Sequence, residues 1–278
     1  MLRINMIGGG FQHEICSSAL NKNKHIEWCK DGSAKISFHI DTGLTHFNTD
    51  KSKENYGWLI ESSAIIPSII QHVTSNLDYY KSNYKMIFTH DERILKVDPS
   101  FFKYTITNAM PWIQNRKVYD KSKNVSVIMS NKKGKPGYNY RLNFLHTLDK
   151  SQVDHYGRGF EKELPWIYHY NNITESGKLQ GLMDYRFSFA FENDNYKTIF
   201  CEKLTDCFAT GTIPIFWGTP DIDRYFNKDG IIMFDEKVRI EDLTEDLYMS
   251  KRSAILDNFE RAISFPSAED FIYENYLK

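Results

Sequence analysis

Between Phe189 and Pro220 the chain reads FAFENDNYKTIFCEKLTDCFATGTIPIFWGTP, and chemistry-bearing residues are dense there. Glu192-Asn193 follows an apolar run, Glu202-Lys203 comes ten positions later, and Gly211 and Gly218 punctuate the remainder of the stretch. Leu204, Cys207 and Phe208 have helical i, i+3, i+4 spacing, and Gly211 suits a helix C-terminal cap. Glu202 and Lys203 then fall in the first helical turn. A cation there gains nothing from the helix dipole, whose N-terminal end is already positive. Lys203 makes sense if an anion binds at that end, where backbone N–H groups point outward. The plainer reading is a solvated lysine beside an ordinary first-turn acid, and spacing alone leaves both open. TIPIFWG reads as a buried strand, and Gly218 at its carboxyl end either lets backbone approach a ligand or simply turns the chain.

The elements that position these residues alternate. LRINMI, KISFHIDTG, YGWLIES and KMIFTHD read as strands in the first half, followed by the short apolar FKYTIT. Ile65, Ile66, Ile69, Ile70 and Val73 have helical spacing with Pro67 in the first turn, and ERILKV is helix-like. The polar QNRKVYDKSKN interrupts the series and is the linker candidate. VSVIMS, the helical YNYRLNFLHTL, FSFAF, the Glu202 helix and TIPIFWG resume it. Alternating strands and helices imply parallel sheets in an α/β protein. The expectation is two Rossmann-like domains facing across a cleft, 1–118 and 119–278, with the C-terminal helix free to pack back on the first. In such sheets ligands bind beyond the carboxyl ends of the strands.

Composition narrows the function classes. The chain has 278 residues and a formal net charge of −1, so nothing draws it globally to nucleic acid or anionic membrane. Any anion site must be local. Aromatics at 15% exclude a disordered chain. Cys16, Cys29, Cys201 and Cys207 form no CxxC pair and no zinc-ligand spacing, which reads as reduced thiols. The N-terminus has no long apolar segment and no run could span a bilayer, so a soluble, cytoplasmic protein is expected. The sequons at Asn124 and Asn172 then carry little meaning. NKNKH and DKSKN read as solvated loops. Asp221-Ile222-Asp223 has the outline of a metal-binding Asp-x-Asp, but it lies in a polar turn and reads as turn chemistry.

Taken together, Phe191-Glu192-Asn193, Glu202-Lys203-Leu204, Thr212-Ile213-Pro214-Ile215 and Gly218 resemble the donor-binding motif of the α-1,3-fucosyltransferase family, glycosyltransferase family 10. YRFSFAF, MSNKKGKPGYNYRLNFLHTL with Ser130, Asn131 and Arg141, and VDHYGRG resemble further family segments. The resemblance covers roughly the second half of the chain. The family's Tyr falls on Ile199 and its Thr on Cys201.

The resemblance implies a GT-B architecture, a GDP-fucose donor, a glycan acceptor and inversion at the anomeric carbon. It implies no obligatory metal and no other cofactor, because protein cations take that part. On this reading Arg141 and Lys203 meet the diphosphate, with Ser130, Asn131 and Gly218 lining the donor. Glu202 accepts from hydroxyls of the sugar or the ribose, Asn193 positions the donor and Glu192 braces the loop. Inversion needs a base on the acceptor side. Glu61, after YGWLIES, is the candidate, with His90 and Asp91 next. For Glu61 a helix-end acid is the equal alternative. GGGFQHE reads either as a close-approach loop or as a tight turn. Two other functions are carried: an exostosin-like or other GT-B transferase with a different nucleotide sugar, and an inactive carbohydrate-binding protein on the same fold.

Overall fold

The computed structural model describes all residues except 10–14, 19, 20, 150, 160–167, 170–174 and 236, and omits the side chains of 168, 169, 175 and 176. The chain divides into two compact units: Met1–Asn108 with Pro266–Lys278, and Ala109–Phe265. The division falls ahead of the polar segment, not at 118/119. The reason is that Trp112 and Ile113 donate their N–H groups to Asp206 at 2.7 and 3.0 Å and so belong to the second unit.

The first unit holds strands β1 (Leu2–Ile7), β2 (Ile26–Cys29), β3 (Ile36–Ile40), β4 (Glu54–Leu59), β5 (Ile87–Thr89) and β6 (Phe102–Tyr104). They form one parallel sheet in the order β2-β1-β3-β4-β5-β6, so the order reverses between β1 and β3. Helices α1 (Pro67–Ser75), α2 (Leu77–Asn83) and α3 (Glu92–Leu95) connect the later strands. Side chains alternate along each strand. Leu59 and Ile87 face a cluster with Ile69, Val73 and Tyr80. Phe38, Tyr56, Trp58 and Phe88 face an aromatic layer that Tyr276 joins.

The C-terminal segment earns its place in this unit through polar contacts. Buried Glu269 accepts from Ser17 N at 2.6 Å and Ser17 Oγ at 2.8 Å. Asp270 accepts from Lys24 N, Glu274 pairs with His25, and Tyr276 donates to Tyr104 O. NKNKH is therefore not wholly solvated: Asn21 and Asn23 are buried, and Asn23 caps the entry to β2 through Ile26 N.

The second unit holds β7 (Lys123–Ser130), β8 (Asp154–Arg158), β9 (Tyr168–His169), β10 (Tyr185–Phe191), β11 (Ile213–Trp217) and β12 (Ile232–Met233). Its sheet is also parallel, in the order β12-β11-β10-β7-β8-β9, with the reversal between β7 and β10. The helices are α4 (Pro136–Leu145), α5 (Glu175–Gln180), α6 (Glu202–Thr210), α7 (Glu245–Ser250) and α8 (Arg252–Ile263), with α9 (Ala268–Ile272) returning to the first unit. Phe187, Phe189 and Phe191 of β10 pack with Leu142 and Leu145 of α4. Ala190, from the opposite face, packs with Leu204, Cys207 and Phe208 of α6. A parallel sheet buried on both faces needs such continuous apolar strands. The α4 and α6 layers therefore lie on opposite faces of the same strands. Among the described residues no helix is long and apolar enough to cross a membrane.

DKSKN is not simply a solvated loop. Lys121 Nζ donates to Leu182 O, Met183 O, Thr210 O and Thr212 Oγ1 at 2.8–3.1 Å. These oxygens precede β10 and β11, and Lys121 itself precedes β7. One side chain thus ties the amino ends of three neighbouring strands. Asn124, the first sequon, lies inside β7 and donates to Leu243 O, and Asn172 lies outside the described residues. Lys121→Met keeps the side-chain length and removes every donor. It is expected to destabilise the protein by about 2–3 kcal/mol, the scale of buried acceptors left unmet, read from the midpoint of urea unfolding at constant slope.

Candidate active site

In a doubly wound sheet the crevice for ligands opens at the carboxyl ends of the strands where the order reverses. In the second unit that point lies between Ser130, the last residue of β7, and Phe191, the last of β10. Two helices from opposite faces of the sheet start there.

From one face comes α4. Pro136 occupies its first turn and costs nothing there, because no helical acceptor waits for that N–H. Gly137 N donates to Asn193 O at 3.1 Å, and a Cβ on Gly137 would stand 2.3 Å from Glu192 O. Only glycine lets the two backbones approach so closely. Arg141, one turn further, is 5% exposed. Its Nη2 donates to Ser130 O at 3.2 Å and Ser130 Oγ at 3.0 Å, and its guanidinium lies 4.4 Å from the Tyr138 ring centre. Asn131 continues the edge of the site: its amide bonds Gly159 O and its N–H donates to Arg158 O at 3.2 Å.

From the other face comes α6, with Cys201 at its N-cap in extended conformation and Gly211 at its C-cap with φ +73°. Glu192 is 1% exposed and organises this end. It accepts Cys201 N at 2.8 Å, the Cys201 thiol at 3.0 Å and Lys203 Nζ at 3.0 Å. The anion that makes sense of a first-turn lysine is therefore the chain's own Glu192. Burial opposes the charge on Lys203, and the Cys201 sulfur that accepts its N–H at 2.7 Å together with the Glu192 and Glu202 carboxylates outweighs burial and keeps it an ammonium ion. Burial and then Glu192 push the Cys201 thiol up, so it stays a neutral donor. Gly218 serves this packing as well. A Cβ there would stand 2.3 Å from Phe216 Cζ and 2.8 Å from Glu192 Cγ, so its missing side chain makes room for Glu192.

Glu202 is held by a residue that the sequence did not single out. Lys178 of α5 bonds Glu202 Oε1 at 3.1 Å and Asp206 Oδ2 at 2.7 Å, and sits 4.3 Å over the Trp112 ring. Glu202 and Asp206 are four apart on α6 and share a face. That spacing was a readable signal for Asp206. Lys178 gave none, because only the fold brings α5 to α6. Burial works against the Glu202 carboxylate, but Lys178 and Lys203 hold it down at about 2. Burial lifts Asp206 above the usual carboxylate range.

Ser130, Asn131, Arg141, Glu192, Asn193, Glu202, Lys203 and Gly218 thus all belong to the carboxyl edge of the second unit's sheet. Glu61, His90 and Asp91 belong to the first unit. Glu61 is exposed after β4, with α1 beginning at Pro67. His90 is buried with Nε2 2.9 Å from Ile60 O. Asp91 caps α3 by accepting Arg93 N at 2.9 Å and pairs with the Arg93 guanidinium at 2.7 Å. It is spoken for structurally. Gly8 packs backbone on backbone against Gly43, with φ +96°, and Gly10–Glu14 lie outside the described residues. Asp221-Ile222-Asp223 runs into the 3-10 turn Ile222–Arg224, with Asp221 3.4 Å from Arg224.

The Glu202 carboxyl is lowered in the folded state, so its pairing stabilises above its unfolded value and that stability is lost as pH falls through about 2. Glu202 taken alone contributes a drop in unfolding free energy of about 3 kcal/mol over this window, at about 1.4 kcal/mol for each pH unit separating the folded and unfolded titration midpoints, and the raised Asp206 carboxyl offsets part of it as it protonates. Lys178→Met should flatten that acid limb and lower stability at pH 7, measured by urea unfolding across pH 2–7.

A family model for glycosyltransferase family 10 (fucosyltransferase), C-terminal part, matches residues 118–259, which include every residue named above at the carboxyl edge of the second unit's sheet. The chain is 27% identical over 104 residues to α-(1,3)-fucosyltransferase FucT of Helicobacter pylori, covering 35% of this chain and 21% of that protein. It is 32% identical over 89 residues to a fucosyltransferase-like protein of Arabidopsis thaliana, covering 31% and 16%. The matched stretch is thus about a fifth of the curated relatives' length. Among solved structures, an α1,3-fucosyltransferase with GDP superposes with a TM-score of 0.52 at 13% identity, over 99% of this chain and 88% of that one. The GDP-fucose form gives 0.50 at 13% over 94% and 82%, and TarM gives 0.55 at 14% over 86% and 53%. At these identities the likeness is one of fold, and with two parallel sheets the architecture is GT-B-like α/β. Because the family model spans just over half of the sequence, the chain belongs to glycosyltransferase family 10, the fucosyltransferase family.

Proposed function

We propose that the chain transfers fucose from GDP-fucose to a hydroxyl of a glycan acceptor, with inversion at the anomeric carbon. One observation carries the reading: Arg141 from one face of the sheet and Glu202-Lys203 from the other start at the reversal between β7 and β10, inside the segment that the family model matches. A solved fucosyltransferase of the same fold holds GDP-fucose.

In the proposed reaction the acceptor oxygen attacks the anomeric carbon while a base takes its proton. The bond from that carbon to the diphosphate breaks, and GDP leaves with the electron pair. Charge grows on the leaving phosphate, and fixed cations stabilise it most where water is excluded. Arg141 and Lys203 are the cations for that role, and in this reading no metal shares it. Because Glu192 already pairs with Lys203, the diphosphate competes with a buried carboxylate, which favours a doubly charged ligand over a chance anion. Glu202, kept ionised, accepts from hydroxyls of the sugar or ribose. Glu192 braces the loop, and Ser130, Asn131, Asn193 and Gly218 line the donor. Glu61 is the proposed base on the acceptor side.

Arg141→Ala should weaken GDP binding by about 1.5–3 kcal/mol, the scale of a charged hydrogen bond. Calorimetry reads it, and unchanged affinity in a folded variant removes Arg141 from the donor site. Glu61→Gln should cut turnover of GDP-fucose with a panel of free oligosaccharides by about two to four orders of magnitude. GDP affinity should stay near the parent value. Turnover at the parent rate rules Glu61 out, and equal loss of binding and turnover marks it as structural.

A further inference from the structure

Cys201 and Lys203 meet at the start of α6. Lys203 Nζ donates to Cys201 Sγ at 2.7 Å, and both side chains bond Glu192 Oε2 at 3.0 Å. Nitrogen and oxygen at that separation form an ordinary hydrogen bond, and sulfur is the larger atom, so these two stand as close as unbonded partners come. The other three thiols lie against oxygen: Cys16 on Glu269 Oε2 at 3.7 Å, Cys29 on Ile4 O at 3.4 Å and Cys207 on Lys203 O at 3.3 Å. Cys201 is half-buried and the Lys203 side chain is 25% exposed, so the cluster is open to a molecule as small as peroxide. A threonine, which the family pattern has at this position, carries no sulfur to oxidise.

We propose that Cys201 and Lys203 form an oxidation site: hydrogen peroxide joins Sγ to Nζ in a sulfenamide bridge that removes the Lys203 charge, and a thiol reductant reopens it. In the first step sulfur attacks one peroxide oxygen, the O–O bond breaks and hydroxide leaves. A neutral thiol is a weak nucleophile. Glu192 Oε2 is within hydrogen-bond reach to take its proton and pass it to the hydroxide, which departs as water. Sulfur has then lost two electrons to the peroxide and is a sulfenic acid, a group that condenses with a nearby nitrogen. In the second step the Lys203 ammonium gives one proton to Glu192, its nitrogen attacks sulfur and the S–OH bond breaks. The hydroxide takes a second N–H proton and leaves as water.

Thiol, ammonium ion, carboxylate and peroxide thus become sulfenamide, carboxylic acid and two waters. Glu192 makes that balance suit the site. It is 1% exposed, and a bridge that took its cation while leaving its charge would strand a buried carboxylate. Here the carboxylate is neutralised by the proton that the cation gives up. A dithiol reverses the change by attacking sulfur, which frees the amine and then the thiol while the reductant leaves as its disulfide.

The whole protein is treated with millimolar hydrogen peroxide, denatured without reductant and digested with trypsin. Trypsin cuts after a free lysine, so untreated protein is cut between Lys203 and Leu204. The bridged protein must yield the uncut peptide Thr198–Arg224, lighter by two hydrogens, and dithiothreitol must make it cleavable at Lys203 again. A Cys201–Cys207 disulfide leaves Lys203 cleavable, and a sulfinic or sulfonic acid at Cys201 adds oxygen. Either product in place of the uncut peptide overturns the inference, as does an unmodified Cys201. This readout needs no variant and does not depend on what Lys203 binds.

The effect of the bridge, unlike the bridge itself, rests on Lys203 being a cation of the donor site. The bridged protein should bind GDP about tenfold more weakly or worse, as for one charged hydrogen bond lost, and recover on reduction. A bridged protein with the parent GDP affinity removes Lys203 from the donor site and leaves the bridge standing. Cys201→Thr should hold its own untreated affinity through the same peroxide treatment, and a loss equal to the parent's overturns the assignment of the effect to Cys201.

Discussion

A carboxylate at 1% exposure has to be compensated on every side, and Glu192 is compensated by the residues that build the carboxyl edge of the second unit's sheet. It takes the N–H that opens α6, the thiol of the same residue and the ammonium of Lys203. Its own N–H goes to Trp217 O, which couples the ends of β10 and β11. Its carbonyl lies against Gly137 at the start of α4. One buried charge therefore sets where both helices begin relative to the strands. Removing a partner would leave the others uncompensated, and such losses exceed what the pair itself contributes. This is the constraint to which Gly137 and Gly218 answer, since a side chain at either would displace the carboxylate or its backbone.

The second pair in the same region follows the same logic. Glu202 and Asp206 share one face of α6, and like charges four residues apart repel. Lys178 between them turns the repulsion into a network in which one ammonium is shared by two carboxylates. Asp206 also receives the N–H groups of Trp112 and Ile113, so the segment entering the second unit is tied to the helix that carries Glu202 and Lys203. At the opposite edge of the sheet Lys121 ties the amino ends of β7, β10 and β11. The strands are fixed at both ends, and their order reversal leaves the crevice at the carboxyl edge.

The central strands of both sheets were legible because burial on two faces demands unbroken apolar runs such as FSFAF and TIPIF. The Gly211 cap and the first-turn position of Glu202 and Lys203 were legible for local reasons too, and α6 has them. The edge strands β2 and β12 were not. Four and two residues long, they carry no periodicity that separates them from loops. Lys121 and Lys178 escaped because their burial depends on oxygens supplied by distant segments, and a lysine in a polar stretch reads as solvated. Asp41 escaped for another reason. In KISFHIDTG it reads as an ordinary strand-end aspartate, and nothing local reveals that it is buried and accepts Ile60 N from the loop after β4.

The two departures from the family pattern, Ile199 and Cys201, acquire a physical account from the same geometry. A threonine at the start of a helix caps it by accepting an N–H from the first turn. Cys201 makes no such bond, and its thiol points its hydrogen at Glu192 instead. Glu192 Oε1 in turn accepts the Cys201 N–H, so the carboxylate supplies the acceptor at this helix end that the residue itself lacks. Ile199 is buried at 5%, with its N–H on Tyr196 O and its carbonyl taking Thr219 N. An apolar side chain in that position belongs to the packing of the loop and offers no hydroxyl. The charged members Arg141, Glu202 and Lys203 are all kept while both hydroxyl positions are lost. The charged part of the pattern, which the proposed reading sets against phosphate, is therefore intact, and the part altered is neutral hydrogen bonding, where a change would shift which donor atoms are recognised more than whether a diphosphate is held.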